Sequence, residues 1–198
     1  MKKVQVVEYN PEWPETFERV RSYVWPAVAD VALDVEHVGS TSVEGLRAKP
    51  VIDVCIVVAS RKEVAPCVER LGKIGYVHQG ILGVPDRDAF RGPDHLPRHN
   101  LYLSPRDSLS LRNHLGLRDY LRSHPDAARE YGELKASLAT RFPTDIDSYI
   151  VGKTEFILRI LGEIGLSEDE IAAIRRINQM DNVARPHPAL QPPGFAGG

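Results

Sequence analysis

One stretch constrains this chain more than any other: Pro50 to Val58, reading PVIDVCIVV. Its β-branched side chains are stiff at χ1 and suit a pleated backbone. An apolar run without polar alternation predicts a strand buried on both faces, and so a central strand with a layer on either side. Asp53 stands inside that run. A carboxylate there costs free energy unless a cation or strong donors meet it. The same nine residues therefore point to both a core and a site.

The flanking sequence supplies the layers. Val4 to Glu8 is short strand or extended lead-in, and Asn10-Pro11 reads as the cap and first residue of a helix running to about Asp30. Trp13, Phe17, Val20, Val24 and Val28 recur at spacings of three and four and form its buried stripe. Pro26 is positioned to kink or end it. Asp34 to Val38 predicts a short strand, Gly39 to Ser42 a turn, and Val43 to Lys49 has room for a helical turn. Ser60 with Glu63 forms a capping box for a helix that stops at Gly75, although Pro66 sits inside it. Tyr76 to His78 predicts a short strand, and residues 79–97 are a Gly/Pro-rich loop. Arg98 to Leu103 predicts a strand with Leu101 and Leu103 on one face and Asn100 and Tyr102 on the other.

The remainder predicts helices over 109–121, 125–142 and 144–165, the last capped by Thr144 with Asp147 in the capping-box position. Ser167 and Glu170 start a short final helix to about Asp181. Residues 185–198, with four prolines and three glycines, predict a disordered tail. The expected fold is α/β (α+β): a small mixed sheet with helices on its faces and a helical bundle appended. The expected organisation is one unit over 1–165, a terminal helix over 166–184 and the tail over 185–198.

Composition narrows the partners. A net charge of −2 and ordinary shares of hydrophobic (42%) and charged (26%) residues give no global pull toward nucleic acid or an acidic membrane. No run approaches the ~18 apolar residues of a membrane span. Cys55 and Cys67, two free thiols, fit a reducing compartment, so the expected location is cytoplasmic. A small-molecule partner gripped by a local basic patch fits best.

The candidate patch is local indeed. A glycine-serine turn exposes backbone N–H groups where no Cβ obstructs a ligand, and Gly39, Ser40, Thr41 and Ser42 offer such donors plus hydroxyls. Arg47, Lys49 and Arg98 could wall a phosphate. Asp53 is a natural partner for magnesium. His99 could bind phosphate, serve as a base, ligate a metal or be a satisfied edge histidine. His95 and His99 are four apart, but Pro97 between them argues against a helical zinc site.

The stretch from His37 through Gly39-Ser40-Thr41-Ser42 to Lys49-Pro50-Val51-Ile52-Asp53 resembles the signature of GrpB-type proteins, members of the nucleotidyltransferase superfamily with a domain similar to one fused to some dephospho-CoA kinases. Asn10-Pro11-Glu12-Trp13, Arg118-Asp119-Tyr120-Leu121-Arg122, Tyr131, Leu134-Lys135, Tyr149, Lys153 and Phe156 resemble its other motifs. The resemblance implies a triphosphate gripped at the Gly39-Ser40 turn and divalent metal, Mg2+ here, held by carboxylates in an acid-x-acid pattern. It implies nucleotidyl transfer from a nucleoside triphosphate to an acceptor it does not name, and it brings Lys153 toward the cleft. Asp53 and His99 become the expected catalytic residues. The chain departs from the pattern at Cys55, where the second acid belongs; Glu36, Asp86, Asp88 and Asp94 are the candidates to replace it. The departure favours an alternative: a catalytically degenerate nucleotide- or phosphate-binding protein, or an interaction module.

Overall fold

The computed structural model describes residues 3–184, so the tail expected over 185–198 lies outside them. Its centre is the PVIDVCIVV strand. Five strands, β1 (Ala32–Val38), β2 (Ile52–Val58), β3 (Val77–His78), β4 (Asp88–Arg91) and β5 (His99–Pro105), form one sheet in the order β1-β2-β5-β4-β3. β2 pairs antiparallel with β1 and parallel with β5; the other pairings are antiparallel. The mixed α/β fold is the one the sequence predicts.

Alternation along β2 sorts its side chains to two faces. Ile52, Val54, Ile56 and Val58 join Leu101, Leu103 and Phe90 beneath α1 (Trp13–Val28) and α2 (Val64–Lys73). Each such burial contributes roughly 1.5–3 kcal/mol. The predicted stripe Trp13, Phe17, Val20, Val24 and Val28 is the buried face of α1. On the opposite face Cys55 and Val57 meet Val38 and Leu111 under α3 (Leu109–Ser123). Beyond it α4 (Pro125–Arg141), α5 (Ile146–Glu163) and α6 (Glu168–Ala184) complete the helical half. A second apolar cluster, with Leu46, Leu121, Tyr131, Phe156 and Ile160, ties α3, α4 and α5 to the segment before β2. Among the described residues no helix is long and apolar enough to cross a membrane.

Local differences have local causes. The helical turn lies at Ser40–Ser42 rather than in 43–49, where Leu46 N–H reaches Val43 C=O and Gly45 takes a positive φ of 74°. That is a β-turn, which needs glycine where a helix does not. Pro26 sits in the last turn of α1 without ending it. Pro66 falls in the first turn of α2, where its missing N–H has no helical partner to lose, after a short 3-10 turn over Arg61–Glu63 built on the Ser60–Glu63 capping box. Asp145, not Thr144, caps α5: its side chain accepts from Ser148 N–H at 3.0 Å. The 79–97 segment contains β4, concealed because it is four residues long and opens on an aspartate. The last helix starts on the predicted Ser167–Glu170 box and extends to Ala184.

Candidate functional site

The Gly39 turn and Asp53 are neighbours because Val38, the residue before the turn, pairs with Asp53 across the sheet. Gly39 has φ of 71°, and a Cβ built on it would overlap Asp53 Oδ2. Glycine is thus required twice: by the backbone and by the carboxylate resting against its Cα. Asp53 Oδ1 accepts from Asn100 Nδ2 at 2.8 Å, its register partner on β5. Burial raises the Asp53 pKa, while the Asn100 hydrogen bond and the charges of Lys49, Lys153 and Arg87 pull it back.

The turn is held from behind. Arg118 and Arg122, one helical turn apart on α3, reach the end of β1 and the turn. Arg118 Nη1 donates to Glu36 Oε2 at 2.6 Å and to the His37 carbonyl at 3.1 Å. Arg122 donates twice to the Ser42 carbonyl, at 3.0 and 2.8 Å. Ser42 Oγ donates to the Gly39 carbonyl, and Thr41 Oγ1 shares a 3.0 Å hydrogen bond with His37 Nε2. Burial takes the His37 pKa down to about 4, helped by Arg122 and Arg118, so the ring is neutral. Two of the three predicted hydroxyls are therefore committed to shaping the turn. Ser40 faces a cavity of about 360 Å³.

That cavity lies between the sheet and α3, α4 and α5. Five basic side chains line it, Lys49, Arg87, Arg118, Lys135 and Lys153, against two carboxylates, Asp53 and Asp147. The lysines converge from three elements. Lys49 Nζ stands 5.6 Å and Lys153 Nζ 4.9 Å from the Tyr149 ring centroid; Lys135 Nζ is 4.6 Å from that of Tyr131. Lys135, only 2% exposed, donates to the Arg47 carbonyl. Burial lowers all three lysine pKa values, with mutual repulsion adding for Lys135 and Lys153. Lys153 falls to about 7 even with Asp53 pulling upward. Excess positive charge under low-dielectric walls is a seat for a polyanion.

The sequence-predicted residues divide accordingly. Gly39, Ser40, Thr41, Lys49, Asp53 and Lys153 come together around the cavity, with Ser42 just behind. Arg98 is exposed at the start of β5 and touches the site only as a positive charge acting on Lys49. His99 is not brought there. It pairs in register with Ile52, one residue out of phase with Asp53, and so points to the α1/α2 side. Its Nδ1 donates to the Pro97 carbonyl at 2.6 Å and its Nε2 accepts from Tyr76 OH at 2.8 Å. Burial lowers its pKa.

The candidate replacement acids do not fill the gap at Cys55 either. Cys55 is fully buried, its thiol pushed up to about 12 by burial. Glu36 is paired with Arg118, and Asp88 with Arg61 and His78. Asp86 lies 3.6 Å from Arg61 at a positive φ, and Asp94 is exposed. The second carboxylate in the cavity is Asp147, which sequence reading assigned to capping; with Asp145 in that role, Asp147 is left to line the cavity. Lys135, Tyr131 and Asn100 also line the cavity; the first two stand in family-like motifs and Asn100 on the Tyr102 face of its strand, none of which signals a role by itself. Among the described residues no three histidine, cysteine or acidic side chains converge as a metal cluster. The donor set does not fit a resident pair of metal ions. One carboxylate oxygen, Asp53 Oδ2 beside the turn, fits at most a single cation.

The family model described as GrpB protein matches residues 3–163. YqkA of Bacillus subtilis is 34% identical over 156 residues, 79% of this chain but 46% of its own, so the chain spans about half the length of that relative. A dephospho-CoA kinase of Mycolicibacterium paratuberculosis is 30% identical over 76% of this chain and 43% of its own. The crystal structure of the conserved protein GrpB from Enterococcus faecalis superposes with a TM-score of 0.72 at 34% identity, covering 85% of this chain and 98% of that one. The Cid1 poly(U) polymerase bound to MgGTP reaches 0.50 at 14% identity over 69% of this chain and 45% of its own, a likeness of fold alone.

Proposed function

The chain belongs to the GrpB family, and on that premise we propose that its cavity binds a nucleoside triphosphate whose nucleotidyl group is passed to an acceptor. The observation that carries this reading is the meeting of the Gly39-Ser40 turn, the Asp53 carboxylate and three lysines in one cavity. The turn's leading N–H groups and the Ser40 hydroxyl would donate to phosphate oxygens. Lys49 and Lys153 would neutralise the charge that Asp53 alone repels. Asp53 would hold a magnesium ion accompanying the nucleotide, which would supply Lewis-acid polarisation of the phosphates. Asn100 keeps Asp53 Oδ1 occupied and so aims Oδ2 at the turn.

Cys55 favours a second reading, binding without chemistry. With the acid position filled by a protonated thiol in the core, β2 offers no second carboxylate to activate an acceptor. Calorimetric titration with each of the four nucleoside triphosphates, with magnesium and with a chelator, tests the shared premise. Micromolar binding, weakened in a Lys49→Met/Lys153→Met double variant, is expected. Absence of heat with all four would refute both readings. Pyrophosphate release in the presence of candidate acceptors separates the first from the second.

A further inference from the structure

Three cations act on Asp53: Lys49, Lys153 and Arg87. Lys49, ahead of β2, and Lys153 lie against the Tyr149 ring, whereas Arg87 lies over Tyr102, the register partner of Cys55 two residues further along β2. Arg87 also acts on Cys55 and His114, which the lysines do not reach. The Arg87 guanidinium carbon lies over the Tyr102 ring, 4.5 Å from its centroid, and its Nε is buried with no hydrogen-bond partner among the described residues. Arg87 forms no salt bridge among the described residues, although other arginines around it are paired: Arg61 with Asp88, Arg118 with Glu36. Across the same end, His114 Nδ1 on α3 is likewise buried and unpartnered. Burial next to Arg87 takes this imidazole down to about 3, so it is a neutral ring with an unused hydrogen-bonding atom. Both residues line the cavity.

A buried donor with no partner is costly, and a guanidinium set over an aromatic ring can offer its N–H edge to a ligand. We propose that Arg87, over the Tyr102 ring, with His114 against the same ring, is a second anion seat in this cavity, and that it receives an oxyanion carried by the acceptor, a carboxylate or a phosphate. The placement rests on the nucleotide reading for the word acceptor; the anion seat itself does not. A fork of N–H groups suits either oxyanion, since both present two oxygens to one guanidinium. Asp53, acted on by the cations of both seats, repels their negative occupants and gains from any cation that bridges them.

The test fills the lysine seat with inorganic tripolyphosphate and magnesium, then titrates inorganic phosphate and, separately, acetate. At least one small anion should bind the wild type below about 10 mM. Arg87→Gln should weaken it about tenfold or more while leaving tripolyphosphate affinity within about twofold. Lys153→Met should do the reverse. Arg87→Lys, which keeps the charge and loses the fork, should fold normally and weaken the small anion less than Arg87→Gln. Phosphate alone binding means a phosphorylated acceptor; acetate alone means a carboxylate. Neither anion binding, equal binding by Arg87→Gln, or loss of tripolyphosphate in that variant would each overturn the second seat. If tripolyphosphate fails on the wild type while Arg87-dependent binding persists, the nucleotide reading falls and the anion seat stands.

Discussion

The two faces of β2 differ by a single backbone step. One face, Ile52, Val54, Ile56 and Val58, is sealed beneath α1 and α2. The other begins with Asp53, passes through buried Cys55 and Val57, and opens at its Asp53 end onto the cation-lined cavity. Only the first spends every side chain on packing. The comparison is sharpest on β5, where adjacent residues part company: Asn100 turns to Asp53, and His99 turns to Tyr76 and the apolar side. One sheet thus serves as core on one side and as a platform for charge on the other.

Changes on the two faces should therefore separate stability from ligand binding. The largest effect is expected from Ile56→Ala, which opens a void in the sealed face and should cost about 2–5 kcal/mol in denaturant unfolding with triphosphate affinity unchanged. Lys153→Met should do the opposite, lowering triphosphate affinity by about 1.5–3 kcal/mol in calorimetry with no loss of stability, because it also removes a desolvated amine. Gly39→Ala joins the two effects. Its Cβ meets Asp53 Oδ2 at a positive φ, so about 1–3 kcal/mol of stability and the triphosphate site should be lost together.

A pH effect follows from Lys153. Its value of about 7 in the folded chain lies below the ordinary lysine value, so the unfolded chain binds more protons between the two and stability should rise with pH through that window. An anion beside Lys153 raises its pKa, so triphosphate affinity should instead fall as pH rises above about 7, by at most about 1.4 kcal/mol per pH unit. Lys49, Lys135 and Asp53 face the same amine and broaden the profile; Lys153→Met should flatten it. The smallest effect is expected from His99→Asn, about 0.5–1.5 kcal/mol of stability from the Tyr76 hydrogen bond, with binding intact.

The same contrast explains what could be read from the chain. The central strand, the α1 stripe and the Ser60–Glu63 box are local patterns, and each appears where its spacing places it. The meeting of Gly39 with Asp53 was legible because the two lie close in sequence, joined by a short segment of turns between β1 and β2. His99 was misplaced because its facing depends on the register of β5 against β2, a pairing between segments nearly fifty residues apart. Asp147 was hidden by a one-residue shift of the α5 cap. The lysine cluster needed three elements to meet, and Arg87 sits in a segment whose glycines and prolines conceal β4. Arg118 and Arg122 carried a signal, two arginines four apart, whose purpose appears only when α3 is laid against the turn.

The proposed function confines ligand binding to the Asp53 face. Melting temperatures with and without saturating magnesium-ATP, for wild type, Asp53→Asn and His99→Asn, test it directly. A ligand at ~100 times its Kd adds ~2.7 kcal/mol, several degrees in a chain of this size. The shift should persist in His99→Asn and vanish in Asp53→Asn. Equal shifts in both variants, or loss in His99→Asn with retention in Asp53→Asn, would contradict the assignment of the two faces.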